Sequence, residues 1–225
     1  QLGVALLVLE GRKAQLTDTG EMLLRRSRQL LTEAVELEQV ANTLDQGWEP
    51  EVTLVVDAIF DTVDLIDVLK EFAPLNHGCH VQLKEVILSG ADEALLSGDA
   101  DLVIGHRVPQ GFMGDLIAEI EFIAVAHPNH PLHRLDRELS IHDLTTEMQV
   151  VVRDSGIQQR DSGWLGALNR WTVTSIETSI TLISNGLGFG WLPCHRIQQK
   201  LTQGMLKPLR LRQGQQRREL LYLIF

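Results

Sequence analysis

The sequence is poor in cysteine and contains no long hydrophobic run. Its two cysteines, Cys79 and Cys194, cannot build a disulfide framework, so a reducing compartment is expected. Every apolar run stops short of the roughly 18 residues that a membrane-spanning helix needs. Basic residues are also in deficit, with 20 Lys and Arg against 30 Asp and Glu. The net charge of -10 disfavours broad adhesion to nucleic acid or to an anionic membrane, so we expect a cytoplasmic protein without a membrane partner.

Metal-binding motifs are also lacking. His127, His130 and His133 follow one another at three-residue steps, and spaced histidines are frequent metal ligands. Here Pro128 and Pro131 interrupt any helix that would align the rings. Because no cysteine or carboxylate pattern completes a ligand set, we predict no metal.

Catalytic and cofactor motifs are equally hard to find. The glycines of the stretch 186–190 follow a helix signal and enter a strand signal, whereas a dinucleotide loop joins a strand to a helix. Ser155 and Gly156 lack the Gly-x-Ser-x-Gly context of a hydrolase. Asp57 and Asp61 are better explained as loop or cap residues than as an acid–base pair. We therefore predict no catalytic residue, no cofactor and no enzyme.

A long helix is the clearest local feature, from about Thr17 to Gln46. Asp18 is the expected N-cap, with Glu21 at the capping-box spacing. Apolar and small residues follow in alternating steps of four and three, a heptad pattern typical of paired helices. We predict that this seam joins two chains through Leu23, Leu30, Ala34, Leu37, Ala41 and Leu44. A helix packed on its own domain is the alternative, because periods of 3.5 and 3.6 residues are hard to separate over this length.

From Glu51 onward, strand signals alternate with helix signals. The strand signals cover 52–56, 79–87, 101–104, 119–126, 148–152, 171–175, 187–192, 205–211 and 219–225. The helix signals cover 63–72, 89–96, 141–144, 177–185 and 197–202. This order predicts an α/β fold in which helices cover a largely parallel sheet. The basic stretch 200–218 contains no acid and is interpreted as a solvated strand edge.

Four segments resemble the LysR-type transcriptional regulators. Residues 1–24 resemble the end of that family's DNA-binding domain and the start of its linker helix. The segments 95–104, 127–132 and 183–193 resemble three short sequence motifs that occur in the same order in the family. The resemblance extends over most of the chain, although residues 156–170 are less typical and their role stays open.

The resemblance implies two periplasmic-binding-protein-like, Rossmann-type lobes with an inter-lobe cleft, preceded by a long linker helix. The implied domains are a winged helix-turn-helix remnant (1–16), a linker or dimerisation helix (17–47) and an effector-binding domain (51–225). Lobe I would comprise about 51–123 and 195–225, and lobe II about 124–194. The helices that read DNA would precede Gln1, so DNA is expected as a partner only of the full-length protein. A homodimer or homotetramer and an unidentified small-molecule effector are the other expected partners.

The effector site is expected in the loops that follow the strands, because ligands of open α/β sheets bind at the carboxyl ends of strands. The resemblance indicates the same loops. The predicted effector-binding residues are Asp57, Ile59, Phe60, Thr62, His106, Arg107, Arg153, Ser155, Glu177 and Thr178. The charge of the ligand is left open, because arginines in these loops favour an anion and carboxylates oppose one.

The predicted function is that of a ligand-responsive bacterial transcription regulator. A periplasmic-type solute-binding receptor is the main alternative, since it shares the two-lobe fold but does not carry a module like residues 1–46. An enzyme that uses the same cleft would need paired acid and base groups, which the sequence does not offer.

Overall fold

The computed structural model describes residues 3–10, 13–45, 49–76, 78–157 and 163–225. By its internal contacts the chain divides into two compact units. The first comprises Gln1–Glu51 with Asn76–His80, and the second comprises Val52–Leu75 with Val81–Phe225. Among the described residues, no helix is both long and apolar enough to cross a membrane.

The first unit contains a β-hairpin and a long helix. Strands β1 (Leu7–Glu10) and β2 (Lys13–Leu16) pair antiparallel, and helix α1 covers Asp18–Asp45. The long helix predicted over about 17–46 is therefore confirmed over Asp18–Asp45, and Gln46 lies outside the described residues. Its predicted N-cap is wrong, because the hydroxyl of Thr17, and not the side chain of Asp18, accepts a hydrogen bond from the Gly20 N–H at 3.0 Å.

The predicted seam of α1 is largely open to solvent in the single chain. Leu30 and Leu37 are 65% and 70% exposed, Ala34 is exposed, and Leu23 is half-buried. The side chains of Ala41 and Leu44 lie outside what the structure describes. Pairing of this seam with a second chain stays a prediction.

The second unit is a curled, mixed sheet with helices on it. Its strands are β3 (Glu51–Asp57), β4 (His80–Val86), β5 (Leu102–Gly105), β6 (Gly114–Ala126), β7 (Met148–Val152), β8 (Asn169–Val173), β9 (Phe189–Pro193), β10 (Lys207–Pro208) and β11 (Gln216–Ile224). Its helices are α2 (Thr62–Phe72), α3 (Ser89–Ser97), α4 (Ile141–Thr145), α5 (Ile176–Ser184) and α6 (Cys194–Thr202). Short 3₁₀ turns cover Ala73–Leu75 and Pro131–Arg134.

The strand order in the sheet is β4-β3-β5-β11-β6-β9-β7-β8, and β10 pairs with β6. The β3/β5, β7/β8 and β7/β9 pairs are parallel, as the alternation of strands and helices predicts. Strand β11 runs antiparallel to both β5 and β6. The predicted α/β class with periplasmic-binding-protein-like lobes is confirmed.

The buried side chains divide along β6. Ile120 and Phe122 pack with Val56 and Leu221, whereas Ile123 belongs to a cluster formed with helix α5 and strand β9. The packing partners therefore change at Phe122/Ile123, close to the predicted end of the first part of lobe I at residue 123.

Residues beyond 194, the predicted end of lobe II, still pack with the hydrophobic clusters of that lobe. Ile197 and Leu206 pack in the cluster of Ile123, and Leu209 packs with Leu144. Since β11 then returns to β5, the packing favours a lobe I of residues 52–122 and 216–225. We use that division below, with 123–211 as lobe II; the division into lobes stays a proposal.

Candidate functional site

A cavity of about 450 Å³ lies between the two lobes. Its size falls within the roughly 300–1,000 Å³ of small-molecule sites. Residues at or just after the carboxyl ends of β3, β5, β7 and β9 line it, namely Asp57, His106, Val152 and Pro193. The sheet therefore places the cavity where ligands of open α/β sheets bind.

Asp57 and His106 form one polar part of the lobe I wall. Asp57 is 1% exposed, and its carboxylate accepts hydrogen bonds from the backbone N–H groups of Ile59 and Leu88, both at 3.0 Å. The Nδ1 atom of His106 lies 3.3 Å from Oδ2 of Asp57, near enough for an ion pair although its N–H is poorly aligned for a hydrogen bond. The contact with Asp57 raises the pKa of His106, and burial opposes this shift.

Strand β11 contributes a second charged pair. Arg217 and Glu219 alternate along the strand and both line the cavity, with Nη1 of Arg217 3.9 Å from Oε1 of Glu219. The guanidinium also lies over the ring of Phe122, 4.5 Å from its centroid. Burial lowers the pKa of Arg217, and the negative charge of Glu219 acts in the opposite direction. Phe122 is the residue paired with Arg217 across the strands, so the sheet register itself creates this stack.

Aromatic side chains form the lobe II wall. The ring centroids of Trp164 and Trp191 lie 6.0 Å apart, and both rings lie near the buried Phe189. The Trp191 indole donates to the carbonyl of Gly214 at 2.8 Å, which fixes its ring. Gln149 is 2% exposed, and its Nε2 donates to the Trp164 carbonyl at 2.6 Å. The Gly214 carbonyl thus holds the Trp191 indole at the cavity, and Gln149 of β7 holds the backbone of Trp164 there.

Two backbone segments fasten the lobes together beside the cavity. Ser155, after β7, exchanges hydrogen bonds with the backbone of Ile87: its Oγ accepts from N–H at 2.8 Å and donates to C=O at 3.0 Å. The carboxylate of Asp154 accepts from the N–H and the hydroxyl of Ser89 at 3.0 and 2.6 Å. Asp154 thereby caps the start of α3. We refer to Ile87, Ser89, Asp154 and Ser155 as the clasp.

Glycines allow the clasp to close. A Cβ at Gly156 would overlap the hydroxyl of Ser89, and a Cβ at Gly90 would overlap that of Ser155. Leu88, between the two anchored residues, has a φ of 54°, an uncommon conformation for a residue with a side chain. The surrounding hydrogen bonds hold it there.

The structure brings three of the ten predicted effector-binding residues to the cavity, Asp57, Ile59 and His106. Phe60 packs against the lobe I core, because the chain turns inward after Asp57. Thr62 is the exposed first residue of α2.

The other predicted residues point elsewhere. Arg107 pairs with Asp92 rather than reaching the cavity. Arg153 is exposed, and Ser155 belongs to the clasp. These residues follow the predicted strands, but successive side chains at the end of a strand point to opposite faces.

On helix α5, too, the side chains that line the cavity are not the predicted ones. Glu177 and Thr178 are exposed, and Glu177 lies 3.6 Å from Arg196. The cavity is instead lined by Ile176 and Ser179, which lie three residues apart on the inward face. The sequence predicts the position of this segment correctly, but it does not predict which face of α5 points to the cavity.

Several residues of the cavity lining are not predicted by the sequence. Arg217 was interpreted as part of a solvated strand edge, which is wrong because β11 lies between β5 and β6. The alternation of Arg217, Glu219 and Leu221 on one strand face could have indicated their inward position. Trp164 and Trp191 had no local signal beyond being large aromatic residues in a chain with few of them.

The fold and the cavity define a two-lobed α/β ligand-binding domain. The sequence model of the LysR substrate binding domain matches residues 45–224. The chain therefore belongs to the LysR family of ligand-responsive transcription regulators, and it contains the family's effector-binding domain.

Relatives from Escherichia coli K12 agree with this assignment. The chain is 30% identical to the HTH-type transcriptional regulator YeeY over 211 residues, which cover 91% of this chain and 68% of that protein. It is 28% identical to the probable HTH-type transcriptional regulator YhaJ over 214 residues, covering 92% and 71% of the two chains. The predicted regulator function is confirmed over the solute-receptor alternative.

Solved structures show the same fold. CrgA, a LysR-type regulator from Neisseria meningitidis, superposes with a TM-score of 0.59 at 17% identity, covering 100% of this chain and 78% of that one. LysG from Corynebacterium glutamicum, solved with bound effector Arg, gives a TM-score of 0.60 at 21% identity, with coverages of 99% and 77%.

Proposed function

We propose that the inter-lobe cavity binds the effector of this regulator. The supporting observation is that one cavity of ligand size is lined from both lobes, by Asp57 and His106 on one side and by Trp164 and Gln149 on the other. A ligand that contacts both lobes binds the closed arrangement better than an open one, and this differential affinity is what shifts a conformational equilibrium.

The same proposal covers the whole protein. The full-length protein is a cytoplasmic homodimer or homotetramer that binds DNA, as its relatives are regulators of transcription. Residues 1–16 are the remnant of a winged helix-turn-helix, and residues 17–47 are the linker, through whose helix α1 (Asp18–Asp45) two chains pair.

The cavity is a binding site and not a catalytic one. Its carboxylates are engaged, Asp57 with His106 and backbone N–H groups and Glu219 with Arg217. Although an imidazole beside a carboxylate can serve as a general base, the relatives of this chain are regulators of transcription. This supports a regulator that binds its ligand without converting it.

A pair of variants on α5 tests the location of the site. Ser179 is 1% exposed and lines the cavity, whereas its neighbour Thr178 is exposed. A metabolite library is screened for compounds that raise the melting temperature of the chain, since a ligand at 100 times its Kd stabilises by about 2.7 kcal/mol. Ser179→Leu is expected to abolish the shift because it fills the cavity, and Thr178→Leu to retain it. Loss in Thr178→Leu alone would place the site on the outer face of α5.

A further inference from the structure

We propose that the effector is an uncharged aromatic molecule with one N–H or O–H donor. This deepens the proposed function and rests on it, since it concerns the ligand of the same cavity. The inference combines the pairing of the charges in the cavity lining, the aromatic walls and one buried acceptor without a partner.

The charged side chains of the lining are already engaged, among the residues that the structure describes. Asp57 contacts His106 and two backbone N–H groups, and Arg217 contacts Glu219 and the ring of Phe122. An ionic ligand would have to displace one of these partners or bring an uncompensated charge into a mainly apolar space. An uncharged ligand does neither.

The aromatic rings around the cavity favour a planar, mainly apolar ligand. Trp164 and Trp191 line it from lobe II, and Phe122 lines it from lobe I. A hydrogen bond from its indole holds the Trp191 ring in place, and the Trp164 backbone carbonyl accepts one from Gln149. A planar ligand gains stacking and edge-to-face contacts from such rings beyond its burial, and fixed walls lose little entropy on binding.

Gln149 provides a buried hydrogen-bond acceptor in the lining. Its Nε2 donates to the Trp164 carbonyl, which fixes the orientation of the amide. Its Oε1 is buried and has no hydrogen-bond partner among the described residues. A buried acceptor without a donor is unfavourable, so a ligand that donates one hydrogen bond to Oε1 gains affinity by satisfying it.

Five bicyclic probes of similar size separate charge, donor and aromaticity. They are 2-naphthol, 2-methoxynaphthalene, 2-naphthoate, 2-naphthylmethylamine and decahydro-2-naphthol, titrated calorimetrically at pH 7. We expect 2-naphthol to bind at least tenfold more tightly than the anion and the cation. The methoxy compound, which lacks the donor, is expected to bind about fivefold more weakly, as one net hydrogen bond implies.

A pair of tryptophan variants locates the binding. Trp164→Leu removes part of the aromatic wall and should weaken the binding of 2-naphthol about tenfold. Trp171→Leu is the matched control, because Trp171 is 46% exposed on β8 and does not line the cavity. It should bind like the parent.

The outcomes separate this inference from the proposed function. Binding of naphthoate or the amine as tight as that of naphthol, or equal binding of decahydro-2-naphthol, overturns the uncharged aromatic class. If only charged or aliphatic library compounds bind, and Ser179→Leu abolishes their binding, the proposed ligand class is wrong while the cavity remains the effector site. If no probe or library compound binds in a way that Ser179→Leu abolishes, both proposals fail.

Discussion

Removing the carboxylate of Asp154 should loosen the two lobes and destabilise the fold. Asp154 is 5% exposed and accepts hydrogen bonds from the N–H and hydroxyl of Ser89 and from the N–H of Gly156. Each hydrogen bond to a charged group contributes roughly 1.5–3 kcal/mol. The variant leaves three buried donors without an acceptor, at about 1–3 kcal/mol each, and the contributions overlap, so we expect Asp154→Ala to lower the free energy of unfolding by about 3–5 kcal/mol.

Thermal and urea unfolding measure this effect. For a chain of this length, 1 kcal/mol corresponds to about 2–4 °C in melting temperature, so the expected decrease is roughly 6–20 °C. Asp136→Ala is the matched control, because Asp136 is an exposed carboxylate of the same lobe. It should stay within about 0.5 kcal/mol of the parent.

Gly156→Ala should destabilise the clasp while leaving the Asp154 carboxylate intact. The added Cβ would overlap the hydroxyl of Ser89 and lie 2.7 Å from a carboxylate oxygen of Glu93, so the Ser89 hydroxyl would have to move away from Asp154. A melting temperature of Asp154→Ala within 1 °C of the parent, together with a tolerated Gly156→Ala, would refute the view that this contact holds the lobes together.

The remaining predictions concern pH and self-association. The pKa of His106 is raised by Asp57, so the stabilisation from this contact should be complete below about pH 6.5 and decline as pH rises through the raised pKa. A pH series of urea midpoints should show this decline in the parent and lose it in His106→Gln; an unchanged slope would argue against the contact. Replacing Leu30 and Leu37 together by Glu should dissociate the oligomer in sedimentation experiments, because charge would enter the apolar seam. Leu31→Glu, off the seam and 66% exposed, should leave the oligomer intact, and equal sedimentation of all variants would contradict the seam.

Local patterns predicted most of the secondary structure. The apolar spacing of α1 and the alternation of strands and helices from Glu51 depend on residues close together in the chain, so they can be read without knowing the fold. The error at the start of α1 was of one residue, because Thr17 and Asp18 are both good N-caps and only the fold chooses between them. The cap of α3 could not be predicted, since it comes from Asp154, 65 residues away.

The candidate site was predicted as a set of loops but not as a set of side chains. Asp57 and His106 were found because they follow strands whose carboxyl ends face a cleft. Glu177 and Thr178 were chosen in place of Ile176 and Ser179, because the sequence locates the start of α5 but not its rotation.

The sequence by itself determined the family, the α/β class, the long first helix and the loops at the cavity, since each depends on short segments and their order. The tertiary structure alone decided which faces of those segments line the cavity. Arg217 lies inside the sheet only because β11 pairs with β6, which places it opposite Phe122, a partner 95 positions earlier in the chain. The clasp likewise exists only once β7 and α3 meet. Such contacts depend on the pairing of distant segments, and no periodicity within either segment encodes them.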